Sequence, residues 1–76
     1  MAKDWPIVYS DYAELRMHQR DVRKDEVEQT LAAPPSRHKH RRDGRAEARQ
    51  RFNNRTLLVV YARSEHTITV INAMWE

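Results

Sequence analysis

The chain has 76 residues, of which 33% are charged, with no cysteine and a formal net charge of +3. That length suits one small domain over residues 1–76 with a thin core, on a scale where only about 60% of the unfolded surface is buried. Lack of cysteine excludes a disulfide framework and thiolate metal sites, and no apolar run approaches the roughly 20 residues of a membrane span.

The N-terminal MAKDWPIVYS lacks the apolar core of a signal peptide, so the expected compartment is the cytoplasm, with no membrane association. Trp5 to Tyr9 reads as an edge strand or extended arm, because Pro6 cannot donate to a ladder. Ser10 is a good N-cap, and Asp11 and Glu14 stand in the first turn, where the helix dipole favours negative charge. A helix is therefore expected to about Arg20, with Ala13 and Met17 facing the core and Tyr12, Arg16 and Arg20 on the adjacent stripe. Val22, Val27 and Leu31 continue the apolar spacing into a second helix over Lys24 to Ala32, which Pro34 and Pro35 end.

Ser36 to Gly44 contains no apolar residue and reads as a mobile loop, with a turn at Asp43 and Gly44. Charge concentrates from here on: residues 37–55 hold eight Lys and Arg against two Asp and Glu, a local net charge of +6. From Arg45 to Asn53 the residues alternate between Arg45, Glu47, Arg49, Arg51 and Ala46, Ala48, Gln50, Phe52. That is a strand period, although the composition is also that of a helix. Asn53 and Asn54 suit a tight turn. Leu57 to Ala62 and Thr67 to Ala73 form a β-hairpin joined through Ser64, Glu65 and His66, and it carries most of the β-branched residues. Neither strand alternates cleanly, so both faces are expected to be at least partly covered. The fold class is α+β, with two N-terminal helices packed on an antiparallel sheet of three or four strands. A homodimer or a tight partner would supply further burial.

Ser10, Ala13, Arg16, Met17, Arg20, Val22, Val27, Leu31 and Pro34 resemble the pattern of the bacterial domain-of-unknown-function family 4258. Through it the chain is similar to the RelE/ParE-like toxins. The two closing strands resemble the family's last pair. The family's usual His falls at Tyr12, and Asn72 stands where Thr is common. The resemblance implies a RelE-like fold and a toxin acting on RNA, as a metal-independent endoribonuclease cutting mRNA on the ribosome and neutralised by a cognate antitoxin.

Metal-free RNA cleavage needs a base, an acid and fixed positive charge around the phosphate. Tyr12, Arg16 and Arg20 are the first candidates, facing Arg49, Arg51, Tyr61 and Arg63 from the sheet, with His66 at the turn beside Arg63 as a further proton-transfer candidate; the alternative is an ordinary solvated helix face. Arg37, Lys39, Arg41, Arg42 and Arg45, with Arg51 and Arg63, are candidates for phosphate-backbone contacts, against the alternative of a solvated loop. His38 and His40 in a flexible segment are a weak metal signal, so no metal or cofactor is expected. A non-catalytic basic module that binds nucleic acid or a protein is the second functional reading. The sheet is expected to be unequal, one face packed by the helices and the other partly open beside the basic loop.

Overall fold

A computed structural model describes residues 5–76; the stretch read for a signal peptide begins in residues 1–4, which lie outside the described residues. Strand β1 (Ile7–Tyr9) leads into helices α1 (Asp11–Arg20) and α2 (Lys24–Leu31). A 3₁₀ turn at Pro35–Arg37 follows, and then strands β2 (His38–His40), β3 (Arg45–Phe52), β4 (Arg55–Ser64) and β5 (Thr67–Trp75). The sheet order is β1-β5-β4-β3-β2. Strands β2 to β5 form an antiparallel meander, and β1 pairs parallel with β5 at the far edge. The expected sheet of three or four antiparallel strands is therefore corrected to five strands of mixed direction among the described residues. Among the described residues no helix is long and apolar enough to cross a membrane.

The helix signals act locally as their chemistry requires. Ser10 Oγ accepts the Ala13 N–H at 3.0 Å, which satisfies one of the free donors of the first turn of α1. At the other end Asp21 takes a left-handed conformation (φ 58°), and the Val22 N–H donates to the Met17 carbonyl at 2.9 Å, closing a Schellman motif. Helix α2 begins with the Glu26 carboxylate accepting the Arg23 N–H at 2.9 Å. Thr30, fully buried, returns its hydroxyl proton to the Glu26 carbonyl at 2.8 Å, so its polarity is satisfied within the helix.

Both helices pack on one face of the sheet. Met17, Val27 and Leu31 meet Leu57, Val59, Ile68 and Val70 there, with Ala46 and Ala48 from β3 at the side. Small residues on β3 let α2 approach closely. Strand β3 forms as its period implies, and the competing helix over 45–52 does not. Its partner β4 has apolar residues at successive positions, and a strand buries both sets by placing Leu57, Val59 and Tyr61 under the helices and Leu58 and Val60 on the opposite face. Asn53 (φ 57°) makes the tight turn between β3 and β4, while Glu65 (φ 27°) and His66 (φ 66°) make the turn between β4 and β5.

The segment read as a mobile loop from Ser36 to Gly44 is mostly structured. The turn at Pro35–Arg37 is closed by the Arg37 N–H donating to the Pro34 carbonyl at 2.9 Å. It delivers β2 antiparallel to β3, with His38 opposite Ala48 and His40 opposite Ala46. Only residues 41–44 remain as a turn, where Gly44 takes φ 83° and Asp43 accepts the Arg45 N–H at 3.1 Å.

Candidate functional site

A cleft of about 170 Å³ opens on the helix side of the sheet, lined by Ala33, Pro35, His38, His40, Tyr61 and Arg63. Proline ends α2 and turns the chain, so that Ala33 and Pro35, just past the helix, and strand β2 form two of its walls. Strand register forms the rest. His40, Ala46 and Tyr61 stand in one row across three strands, and Arg63 follows on the same face of β4 two residues on.

At its centre His38 makes two hydrogen bonds. One ring nitrogen, Nε2, lies 2.9 Å from the Ala33 carbonyl oxygen. The other, Nδ1, lies 2.7 Å from the Tyr61 hydroxyl, with the rings edge to face at 5.8 Å. A carbonyl only accepts, so Nε2 carries a proton; in the neutral ring Nδ1 then accepts the proton of the Tyr61 hydroxyl. Tyr61 is 2% exposed. Burial pushes its phenol above the ordinary value, and the positive charge of Arg63 partly opposes this. The site therefore combines a neutral phenol, two imidazoles and an exposed guanidinium: groups that move protons beside one that holds an anion.

Of the residues singled out from the sequence, Tyr61 and Arg63 meet in this cleft. Arg37 is exposed on the turn that precedes β2. The others lie elsewhere. Tyr12, 53% exposed, carries the Arg16 guanidinium over its ring at 5.6 Å, and Arg16 also donates to Gln19. Arg20 reaches the part of β5 that β1 leaves uncovered, donating to Asn72 Oδ1 at 3.0 Å and the Ala73 carbonyl at 3.2 Å. Of the α1 stripe only Arg20 is thus tied to the β5 edge, and the expected convergence of Arg16, Arg20, Arg49 and Tyr61 is not found. Tyr61 belongs to the packed face rather than to the open one because Leu57, Val59, Tyr61 and Arg63 share a strand face.

Arg49 and Arg41 are tied into ion pairs on the opposite face of the sheet. Glu47 binds both Arg41 and Arg49, and Arg49 continues to Glu76 at 3.0 Å. Hydrogen bonding from Arg41, then the charges of Arg41 and Arg49, hold the Glu47 carboxyl below the usual range despite its partial burial. Arg49 is held above its ordinary value chiefly by Glu76. This chain of charges runs beside Leu58 and Val60, both buried although neither helix lies on their side. The open face is accordingly less open than the sequence suggests. Lys39 and Arg45 share this face, Arg42 is exposed in the turn, and Arg51 donates to the Asn53 carbonyl at 3.0 Å. His66, at the exposed turn, meets Trp5 edge to face at 5.3 Å and is separate from the cleft.

Sequence reasoning gave His38 and His40 only a basic-loop role or a weak metal role. Their i, i+2 spacing was the available signal, since on a strand it puts both rings on one face. Among the described residues no three His, Cys, Asp or Glu side chains gather as a metal-binding group.

No curated protein and no solved structure was found to match the chain. The family model described as "Domain of unknown function (DUF4258)" matches residues 9–75 and so spans both helices and the whole cleft. On that match, the chain belongs to the DUF4258 family.

Proposed function

We propose that this protein acts on RNA as a RelE/ParE-like toxin, a metal-independent endoribonuclease that cuts mRNA in association with the ribosome in the cytoplasm and is held in check by a cognate antitoxin. The observation that carries this reading is the cleft itself, where His38, His40, Tyr61 and Arg63 meet at one surface. Phosphodiester transfer needs a proton acceptor, a proton donor and positive charge on the phosphate, and this set contains all three. Arg37 and Arg42, exposed in the turns on either side of β2, and Lys39, Arg45 and Arg51, exposed on the other face of the sheet, are the further cations for an RNA backbone that extends past the cleft. The test is to incubate the purified protein with translating ribosomes and map the 5′ ends of the mRNA. New ends with wild type, and their loss with Arg63→Ala, are expected; no new ends with wild type would refute the reading.

A second reading, a non-catalytic basic module that binds nucleic acid or a protein, draws support from Tyr12. That residue occupies the position of the usual family His and lies exposed, away from the cleft. Under it the protein binds RNA with strong salt dependence but produces no new ends, and Tyr12→His does not change that outcome.

A further inference from the structure

We infer that Asp43 is a site of self-modification: in the exposed turn between β2 and β3 it isomerises to isoaspartate through a succinimide closed by the Gly44 nitrogen, and the change loosens the strand that walls the cleft. This chemistry belongs to the turn alone and stands whatever the cleft acts on. An aspartyl carboxyl followed by glycine suits such a ring closure, because the attacking backbone nitrogen belongs to a residue with no side chain to shield it. Both residues are exposed, and a Cβ placed on Gly44 would meet no atom within 4 Å. The nitrogen is open to solvent and to its neighbour's carboxyl.

The turn also supplies the approach. Asp43 Oδ1 accepts the Arg45 N–H at 3.1 Å, which folds the carboxyl back along its own chain, over the peptide bond that joins Asp43 to Gly44. Cγ and the Gly44 nitrogen, the two atoms the five-membered ring must join, are thereby kept on the same side of the turn. The bend is fixed, since the Arg41 N–H donates to the Arg45 carbonyl at 2.8 Å and Gly44 holds φ 83°. Arg42 and Arg45 flank the pair and favour a nitrogen that gives up its proton. The tight turn at Asn53 differs, because the residue that follows is Asn54, whose Cβ crowds the attacking nitrogen.

The step needs no co-reactant other than water. The Gly44 nitrogen bonds to Asp43 Cγ, and the carboxyl hydroxyl leaves with the amide proton as water. In the succinimide that nitrogen is bonded to both carbonyl carbons of Asp43. Water returns at one of them. Opening at Cγ restores aspartate; opening at the α-carbonyl leaves a free α-carboxylate and a main chain that runs through Cγ, one methylene longer. Mass is unchanged, but the turn no longer fits the register that sets His40 opposite Ala46. Strand β2 is a three-residue edge strand whose sheet pairing with β3 depends on that hairpin, and it brings His38 and His40 to the cleft.

The experiment holds the full chain, and a peptide of residues 39–48, at physiological temperature and pH. Isoaspartate is read by methyl transfer from an isoaspartyl methyltransferase and located by peptide mapping. It is expected at residue 43, forming at least as fast in the folded chain as in the peptide. Gly44→Ala, and Asp43→Glu, which would need a six-membered ring, are each expected to slow it by ~5-fold or more. Circular dichroism checks that both fold; Asp43→Glu places no demand on φ and decides alone should Gly44→Ala unfold. In the isomerised fraction the amides of His38 to His40 are expected to exchange hydrogen ~10-fold faster or more, with those of α1 unchanged. No isoaspartate at residue 43, slower formation in the chain than in the peptide, or a smaller effect of Asp43→Glu would overturn the site. Exchange in β2 that is the same before and after isomerisation would overturn its consequence for the cleft.

Discussion

Glu47→Gln isolates the charge chain that the structure places on the helix-free face of the sheet. Glu47 accepts from Arg41 and from Arg49, the latter at 3.1 Å, and its side chain is 13% exposed. The arginine side chains are 36% and 37% exposed, so solvent screens their share of each pair. Glutamine keeps the shape and one acceptor oxygen but removes the charge and sets an amide donor against a guanidinium. An exposed pair is worth about 0–1 kcal/mol and a charge-assisted bond to a buried group more, so a loss of about 1–2 kcal/mol is expected near pH 7. In a domain of this size that corresponds to about 4–8 °C in Tm per kcal/mol. The sign with pH follows from the lowered folded-state value of Glu47. Its contribution is complete above the ordinary Glu range of about 4.3 and disappears as pH falls through the lower folded-state value. Urea denaturation of wild type and variant from pH 7 down to pH 3 should show the two curves converging in acid. A loss that is unchanged at low pH, or none at pH 7, would refute the assignment of Arg41 and Arg49 to a structural network.

Arg20→Ala should expose the backbone of β5 beyond Val70, because the Arg20 guanidinium now occupies the Ala73 carbonyl and Asn72 there. Concentration-dependent association by sedimentation is the expected outcome, since an uncovered strand edge is a template for pairing. Replacing Glu65 with Asn and His66 with Gly should stabilise the protein by about 1 kcal/mol in thermal unfolding, because both positions have positive φ. Burial first, then the negative charges of Glu28 and Glu14, pushes the Tyr9 phenol up to about 12. Stability should therefore decline from about pH 10, where the unfolded phenol ionises, to the folded-state value, and Tyr9→Phe should lessen that decline in alkaline denaturation, leaving the part due to the raised Tyr61 phenol.

The helices were legible because their signals are local. Ser10, Asp11 and Glu14 open α1, and paired prolines close the second helical segment, whatever packs around them. Strand β3 was legible from its alternation, with helix formers as the only conflict. Strand β2 was not. Its inward residues are His38 and His40, and the burial of the first is offset by hydrogen bonds to Tyr61 and Ala33 rather than by apolar contact. Hydropathy carries no trace of such a strand. The parallel placement of β1 depends on the path of the whole chain, which a three-residue strand cannot encode. The face of Tyr61 was equally hidden, because β4 buries apolar residues on both sides and either parity fits the pattern. Missing β2 and that parity meant missing the cleft. Tyr61 and Arg63 were recognised, but they were grouped with Arg49, which ion pairs engage elsewhere, and with Arg16 and Arg20, which hydrogen bonds do.

Under the proposed function, the residues that act on RNA line the cleft between α2 and β2 rather than the outer stripe of α1. Growth after induced expression tests it most directly, with His38→Gln, Tyr61→Phe and Arg63→Ala compared against Tyr12→Ala and Arg16→Ala at matched soluble levels. Wild type and both α1 variants are expected to arrest growth and all three cleft variants to permit it. Arrest by the cleft variants together with growth of the α1 variants would contradict it.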